Sequence, residues 1–145
     1  MRAAAGVLIT NAAGDILLVE PSYKQHWDIP GGKMELAESP RACAVREVKE
    51  ELGITVTPSR LLVVDYLPHR PGFRHEMTAY IFDVAESYLD AITVDGDEIL
   101  SWTWTTSADR VRLLRTAPML HRRLTAALVA KYTGLTSYLE SGMPV

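Results

Sequence analysis

The sequence predicts an α/β domain, and three observations carry that prediction. Two short apolar runs near the N-terminus are joined by a turn-forming Asn-Ala-Ala-Gly. A segment with helical periodicity then spans residues 39–53, with start and stop residues at its ends. Further runs rich in Val, Leu, Thr and Tyr follow, before a last helical pattern over 118–131. Alternation of strand-like and helix-like segments of these lengths is the pattern of helices packed on a sheet.

Residues 4–10 and 15–20 read as strands, and the turn between them suits a hairpin. Ser39 and Pro40 mark a helix start, because a hydroxyl caps free amides and proline is tolerated at the first helical position. Gly53 closes that helix. Residues 55–66 and 75–84 read as strands separated by a loop containing Pro68, Arg70, Pro71, Gly72, Phe73 and Arg74. Residues 98–105 alternate, so Leu100, Trp102 and Trp104 are expected on one half-buried face. The helix from Pro118 carries Leu120, Leu124 and Leu128 at a spacing of four and is expected to cover the other side of the sheet. Residues 133–145 show no clear pattern.

The chain as a whole has 145 residues, 48% of them apolar. That fits one domain over residues 1–145, able to bury about two-thirds of its unfolded surface. Its formal charge is −3, and without a basic tract a nucleic-acid partner is disfavoured. The single cysteine, Cys43, excludes an intrachain disulfide and agrees with a reducing interior, so the cytoplasm is the expected compartment. The apolar run at 3–9 is too short for a signal peptide, and no stretch approaches the roughly 20 residues that span a bilayer. A homodimer is left open.

The chemistry concentrates in the first helix. Glu47, Glu50 and Glu51 fall within about a third of the helix circumference, while Val45, Val48 and Leu52 point the opposite way. Like charges at such spacings destabilise a bare helix by about 0.2–0.5 kcal/mol per pair. A compensating cation is therefore wanted, and a hard divalent ion such as Mg²⁺ or Mn²⁺ suits carboxylate ligands. A solvated acidic face is the plainer alternative. Gly31 and Gly32 let the backbone pass close to a ligand, although paired glycines after a proline also make an ordinary turn. Glu38 sits where the helix dipole favours an anion and can reach Arg46 two turns later.

These residues match a longer pattern without departure: Gly32, five residues, Glu38, seven residues, then Arg46, Glu47, Val48, Glu50, Glu51, Gly53 and Ile54. The pattern resembles the signature of the Nudix hydrolases, and Trp27-Asp28-Ile29-Pro30-Gly31-Gly32 resembles the usual lead-in. The resemblance implies an α/β/α sandwich with a mixed central sheet. It also implies Mg²⁺ or Mn²⁺ held by Glu47, Glu50 and Glu51 with the Gly32 carbonyl, and Arg46 and Glu38 bracing the carboxylates, with Gly31 and Gly53 shaping the segment. Glu98, shortly before Trp102, resembles the acid that joins such sites late in the chain; either Glu47 or Glu98 is the base that deprotonates the attacking water.

The implied reaction is hydrolysis of a phosphoanhydride. The expected substrate is a nucleoside diphosphate linked to another moiety, such as ADP-ribose or a nucleotide sugar. A (deoxy)nucleoside triphosphate is the alternative substrate, and a catalytically silent nucleotide-binding sensor the alternative of another class. Tyr23, Lys24, Trp27, Arg70 and Arg74 are candidate substrate contacts, since cations hold phosphates and aromatic rings stack on bases.

Overall fold

The computed structural model describes residues 2–84 and 89–145. Its elements are β1 (Arg2–Ile9), β2 (Ile16–Pro21), β3 (Gly31–Lys33), α1 (Pro40–Leu52), β4 (Leu61–Leu67), β5 (Met77–Val84), β6 (Ile99–Thr105), α2 (Ser107–Leu113), α3 (Pro118–Thr133), β7 (Ser137–Glu140) and β8 (Met143–Pro144), with one 3₁₀ turn at Leu89–Ala91. Six strands form a mixed sheet in the order β3-β1-β5-β4-β7-β8, and β2 pairs with β6 in a second sheet. The β1–β5 and β4–β7 pairs are parallel, and the other neighbours antiparallel.

Side-chain alternation along the central strands builds two cores. Ala5, Val7 and Ile9 of β1, with Leu17 and Val19 of β2, pack on Cys43, Ala44, Val48 and Leu52 of α1. Leu8, Ile16 and Leu18 point the other way, onto Leu120, Leu124, Ala127 and Ala130 of α3. Helices thus cover both faces, and the expected α/β/α sandwich is what forms. No helix among the described residues is long and apolar enough to cross a membrane.

The expected hairpin forms only as a turn. Asn11 Oδ1 accepts the N–H groups of Ala13 (3.0 Å) and Asp15 (2.9 Å), Gly14 adopts φ +83°, and Thr10 bridges Ile16. Beyond that bridge the strands part: β1 inserts between β3 and β5, and β2 leaves for β6. Both strands are apolar on both faces, so each is buried between the two cores and is not half of a one-faced hairpin.

Three other expectations shift. The strand expected over 55–66 begins only at Leu61; Ile54 and Val56 are buried, but as irregular chain around Pro58. Leu100 is 46% exposed, because the pairing slips opposite Pro21 and makes it the extra residue of a bulge. Trp102 and Trp104 do share the half-buried face, with ring centroids 6.2 Å apart and edge-on. The patternless tail becomes β7 and β8. It is anchored by the buried Asp65 carboxylate, which accepts from Gly142 N (3.0 Å) and Arg123 Nε (2.8 Å).

Candidate active site

The glycine pair and α1 assemble the site together. Ser39 Oγ accepts from Ala42 N (3.1 Å), Pro40 opens the helix, and Gly53 at φ +71° returns its N–H to the Lys49 carbonyl (3.0 Å). Both caps take the form the residue types require. The burial of Cys43, Ala44, Val48 and Leu52 then fixes the helix's rotation, bringing Glu47 and Glu51 under β3.

Here the two glycines are sterically necessary. A Cβ on Gly31 would stand 2.5 Å from the Ala5 carbonyl oxygen, and one on Gly32 would stand 2.4 Å from Cδ of Glu47. The first absence lets β3 lie flush on β1. The second lets the Glu47 carboxylate rest on the Gly32 backbone. Gly31 N donates to Glu51 Oε1 at 2.8 Å, and Cys43 Sγ donates to the Gly32 carbonyl at 3.4 Å.

Arg46 holds the outer part of the site. Its Nε and one terminal nitrogen grip both oxygens of Glu38 (2.7 and 2.9 Å), its other terminal nitrogen reaches Glu47 (2.9 Å) and Glu50 (3.2 Å), and the Lys33 carbonyl accepts a further bond (3.0 Å). Hydrogen bonding to Arg46, helped by the Glu35 N–H, holds the Glu38 carboxyl down at about 2.

Glu51 has no such partner. It is only 3% exposed, and burial pushes its carboxyl up to about 8 against the Gly31 N–H, with the charges of Glu47, Asp28 and Glu98 adding to the rise. Glu47 is also raised, by burial first, with Arg46 opposing and Glu50 and Glu98 reinforcing.

Glu98 lies within electrostatic reach of Glu47 and Glu51. It is exposed, in the segment leading into β6, where its carbonyl accepts from Ser22 N (3.0 Å). Tyr23 feels Glu51 and Glu98 as well. Lys24 pairs with Asp28 (2.5 Å), and the two line a cleft of about 190 Å³ beside Gly31, Gly32 and Lys33, floored by Ala4, Ala5, Gly6, Ala79, Tyr80 and Ile81.

Other candidates lie elsewhere. Trp27 packs on the α3-side core, Arg70 stacks on Phe73 at 3.8 Å from the ring centroid, and Arg74 lines a separate cleft. Gly53 is a helix cap.

A divalent cation fits this donor set. Glu47 and Glu51 are buried carboxylates whose charge is unfavourable where they stand, and Glu98 adds a third acid within electrostatic reach. Among the described residues, no three His, Cys, Asp or Glu side chains are already gathered as a complete ligand set. The arrangement is a buried acidic pair, Glu47 and Glu51, with part of Glu47 and Glu50 turned toward Arg46.

Comparison with known proteins settles the family. The family model described as NUDIX domain matches residues 1–128. The chain belongs to the Nudix family.

Human diphosphoinositol polyphosphate phosphohydrolase 3-alpha is 31% identical over 124 residues, covering 83% of this chain and 72% of its own. Among solved structures, an ADP-ribose pyrophosphatase from Streptococcus suis aligns with a TM-score of 0.68 at 20% identity, over 96% of this chain and 98% of its own. A C. elegans Ap4A hydrolase aligns at 0.62 and 24% identity, over 92% and 96%. These two structures bear on the fold alone. As a Nudix hydrolase, this chain is a pyrophosphohydrolase acting on phosphoanhydride bonds.

Two residues near the carboxylates escaped the sequence reading. Asp28 was visible inside the lead-in to the glycines, but its role depends on facing Glu51 and Lys24 across the turn. Lys33 immediately follows Gly32, and nothing in its spacing separates it from an ordinary surface lysine.

Proposed function

We propose that this Nudix hydrolase cleaves the pyrophosphate of a nucleoside diphosphate joined to a second group, with ADP-ribose and nucleotide sugars as examples, using Mg²⁺ or Mn²⁺. The observation that carries this reading is the pairing of Glu47 and Glu51 beneath Gly31–Gly32 with a mainly apolar cleft directly alongside. The carboxylates suit the phosphate link, and the cleft suits a ring attached to it.

Glu47, Glu50, Glu51 and Glu98, with the Gly32 carbonyl, would hold the cation. When bound, it supplies charge neutralisation and a water of lowered pKa. The chain's own residues do the positioning. Arg46 clamps Glu47 from the outer side, the Gly31 N–H fixes one oxygen of Glu51, and the Arg46–Glu38 pair ties the loop after β3 to α1. Glu98 and Glu50 are the exposed carboxylates of the group, and of the two only Glu98 has no ion pair among the described residues. Glu98 is the proton acceptor in this reading; Glu47 is committed to Arg46 and Gly32.

The relative acting on diphosphoinositol polyphosphate supports hydrolysis of a diphosphate group. The buried, unpaired Cys43 supports a cytoplasmic setting.

The test is turnover of a panel containing ADP-ribose, nucleotide sugars and (deoxy)nucleoside triphosphates with Mg²⁺ or Mn²⁺. Release of a nucleoside monophosphate and the phosphorylated second group is expected. Faster release of pyrophosphate from a triphosphate would replace this substrate class, and tight binding with no turnover would replace the enzyme with a sensor.

A further inference from the structure

Past Lys33 the surface changes sign. A second cleft, of about 260 Å³, is lined by Arg2, Lys33, Phe73, Arg74 and His75, closed by Gly72 and Met77. It shares Lys33 and Met77 with the apolar cleft, so the two adjoin at the end of β3. Arg70 adds a cation at its rim by stacking on Phe73. Among the described residues no carboxylate lines it, while Arg2 and Lys33 also border a neighbouring cleft that holds Glu35 and Glu38. The nearest acid in sequence, Glu76, accepts a hydrogen bond from the Tyr66 hydroxyl at 2.5 Å, on β4.

Five cations elsewhere are paired with acids within the protein, and Arg41, Lys49, Arg60, Arg110 and Arg122 bond backbone carbonyls. Lys24 is held by Asp28, Arg46 by glutamates, Arg112 by Asp109, Arg123 by Asp65 and Lys131 by Asp83. Among the described residues, Arg2, Lys33, Arg74 and His75 enter none of these ion pairs. Unpaired cations converging on one concavity, in a chain of net charge −3, make a local field that attracts a polyanion. Guanidinium and ammonium groups bind phosphate through charge-assisted hydrogen bonds.

We propose that this cleft binds phosphates carried by the second group of the substrate, beyond the link that is cleaved. The proposal rests on the pyrophosphohydrolase reading above and deepens it: among such substrates, those whose second group carries further phosphates are preferred over ADP-ribose and nucleotide sugars. The apolar cleft takes a ring, the carboxylates face the scissile link, and Lys33 stands where the chain of phosphates passes into the basic cleft.

The experiment has a binding arm and a kinetic arm. Calorimetry without metal measures inorganic tripolyphosphate on the parent and on the double variant Arg2→Gln, Arg74→Gln, with inositol hexakisphosphate as a second probe to distinguish linear from ring-borne phosphates. Binding by the parent and a loss of at least ~10-fold in the double variant are expected. No binding by the parent, or equal affinity in both proteins, overturns the proposal. If the double variant melts early, Arg74→Gln alone carries the same test, since it alters only a loop side chain.

In the kinetic arm, kcat/KM for a dinucleoside tetraphosphate is expected to fall at least ~10-fold more than kcat/KM for ADP-ribose. Equal falls for the two substrates would mark a merely structural effect and overturn it. Tripolyphosphate binding with no turnover of either substrate would remove the catalytic reading and leave the cleft; turnover of ADP-ribose without tripolyphosphate binding would do the reverse.

Discussion

The two carboxylate neighbourhoods on α1 are built oppositely. Around Arg46, one guanidinium satisfies Glu38, Glu47 and Glu50 at 2.7–3.2 Å and holds Glu38 ionised down to about pH 2. One turn further on, Glu51 has a single backbone N–H, three acidic neighbours and a carboxyl raised to about 8. The first arrangement is complete and has a bracing role; the second lacks a positive charge. A protein seldom buries a carboxylate among other acids without a compensating charge, and the proposed cation is assigned to Glu51 on that ground.

That contrast can be broken by substitution. Glu51→Gln keeps an acceptor for the Gly31 N–H while removing the charge, and turnover is expected to fall by at least ~10²-fold with the fold intact. A steady-state assay beside a melting curve checks it; near-parental turnover would take Glu51 out of the site. Gly32→Ala places a methyl group on the Glu47 carboxylate and is expected to lower kcat by at least ~10-fold with a small change in Tm. Gly31→Ala should instead lower Tm, because its Cβ meets the β1 backbone.

Glu98→Gln is expected to cost ~10-fold or more in kcat, measured in the steady state. Near-parental turnover would pass the base to Glu47. Glu50→Gln should cost less than Glu51→Gln, since Glu50 is half exposed and already met by Arg46; equal losses would erase the distinction between the two neighbourhoods.

The smallest effect concerns stability. A folded-state pKa raised to about 8 means that the native state keeps a proton which the unfolded chain releases near 4.5. In metal-free protein, Glu51's contribution is therefore fully present below about pH 4.5 and lost as pH rises through about 8. Melting curves of the parent against Glu51→Gln over that range are expected to converge at low pH and to favour the variant at high pH.

How much of this the sequence disclosed depended on the range of the interactions. The α1 caps were legible from Ser39, Pro40 and Gly53 because they act within one turn, and Glu38 to Arg46 because it lies within two. The spacing that puts Glu47, Glu50 and Glu51 together was equally visible, but not that Glu47 and Glu51 are buried while Glu50 is exposed. That division follows from how α1 seats against β1 and β3. The turn at Asn11–Gly14 was legible, whereas the parting of β1 and β2 was not, since pairing partners lie far along the chain. The edge strands β7 and β8, four and two residues long, are too short for any periodicity, and the basic cleft joins Arg2, Lys33 and Arg74 only after folding.

The central claim is that the pocket around Glu51 takes a divalent cation. Its most direct test is Mn²⁺ titration by calorimetry, with and without a non-hydrolysable nucleotide, on the parent and on Glu51→Gln. Uptake by the parent, strengthened by nucleotide and weakened at least ~10-fold in the variant, is the expected result. No uptake by the parent under either condition, or equal uptake by the variant, would contradict the account.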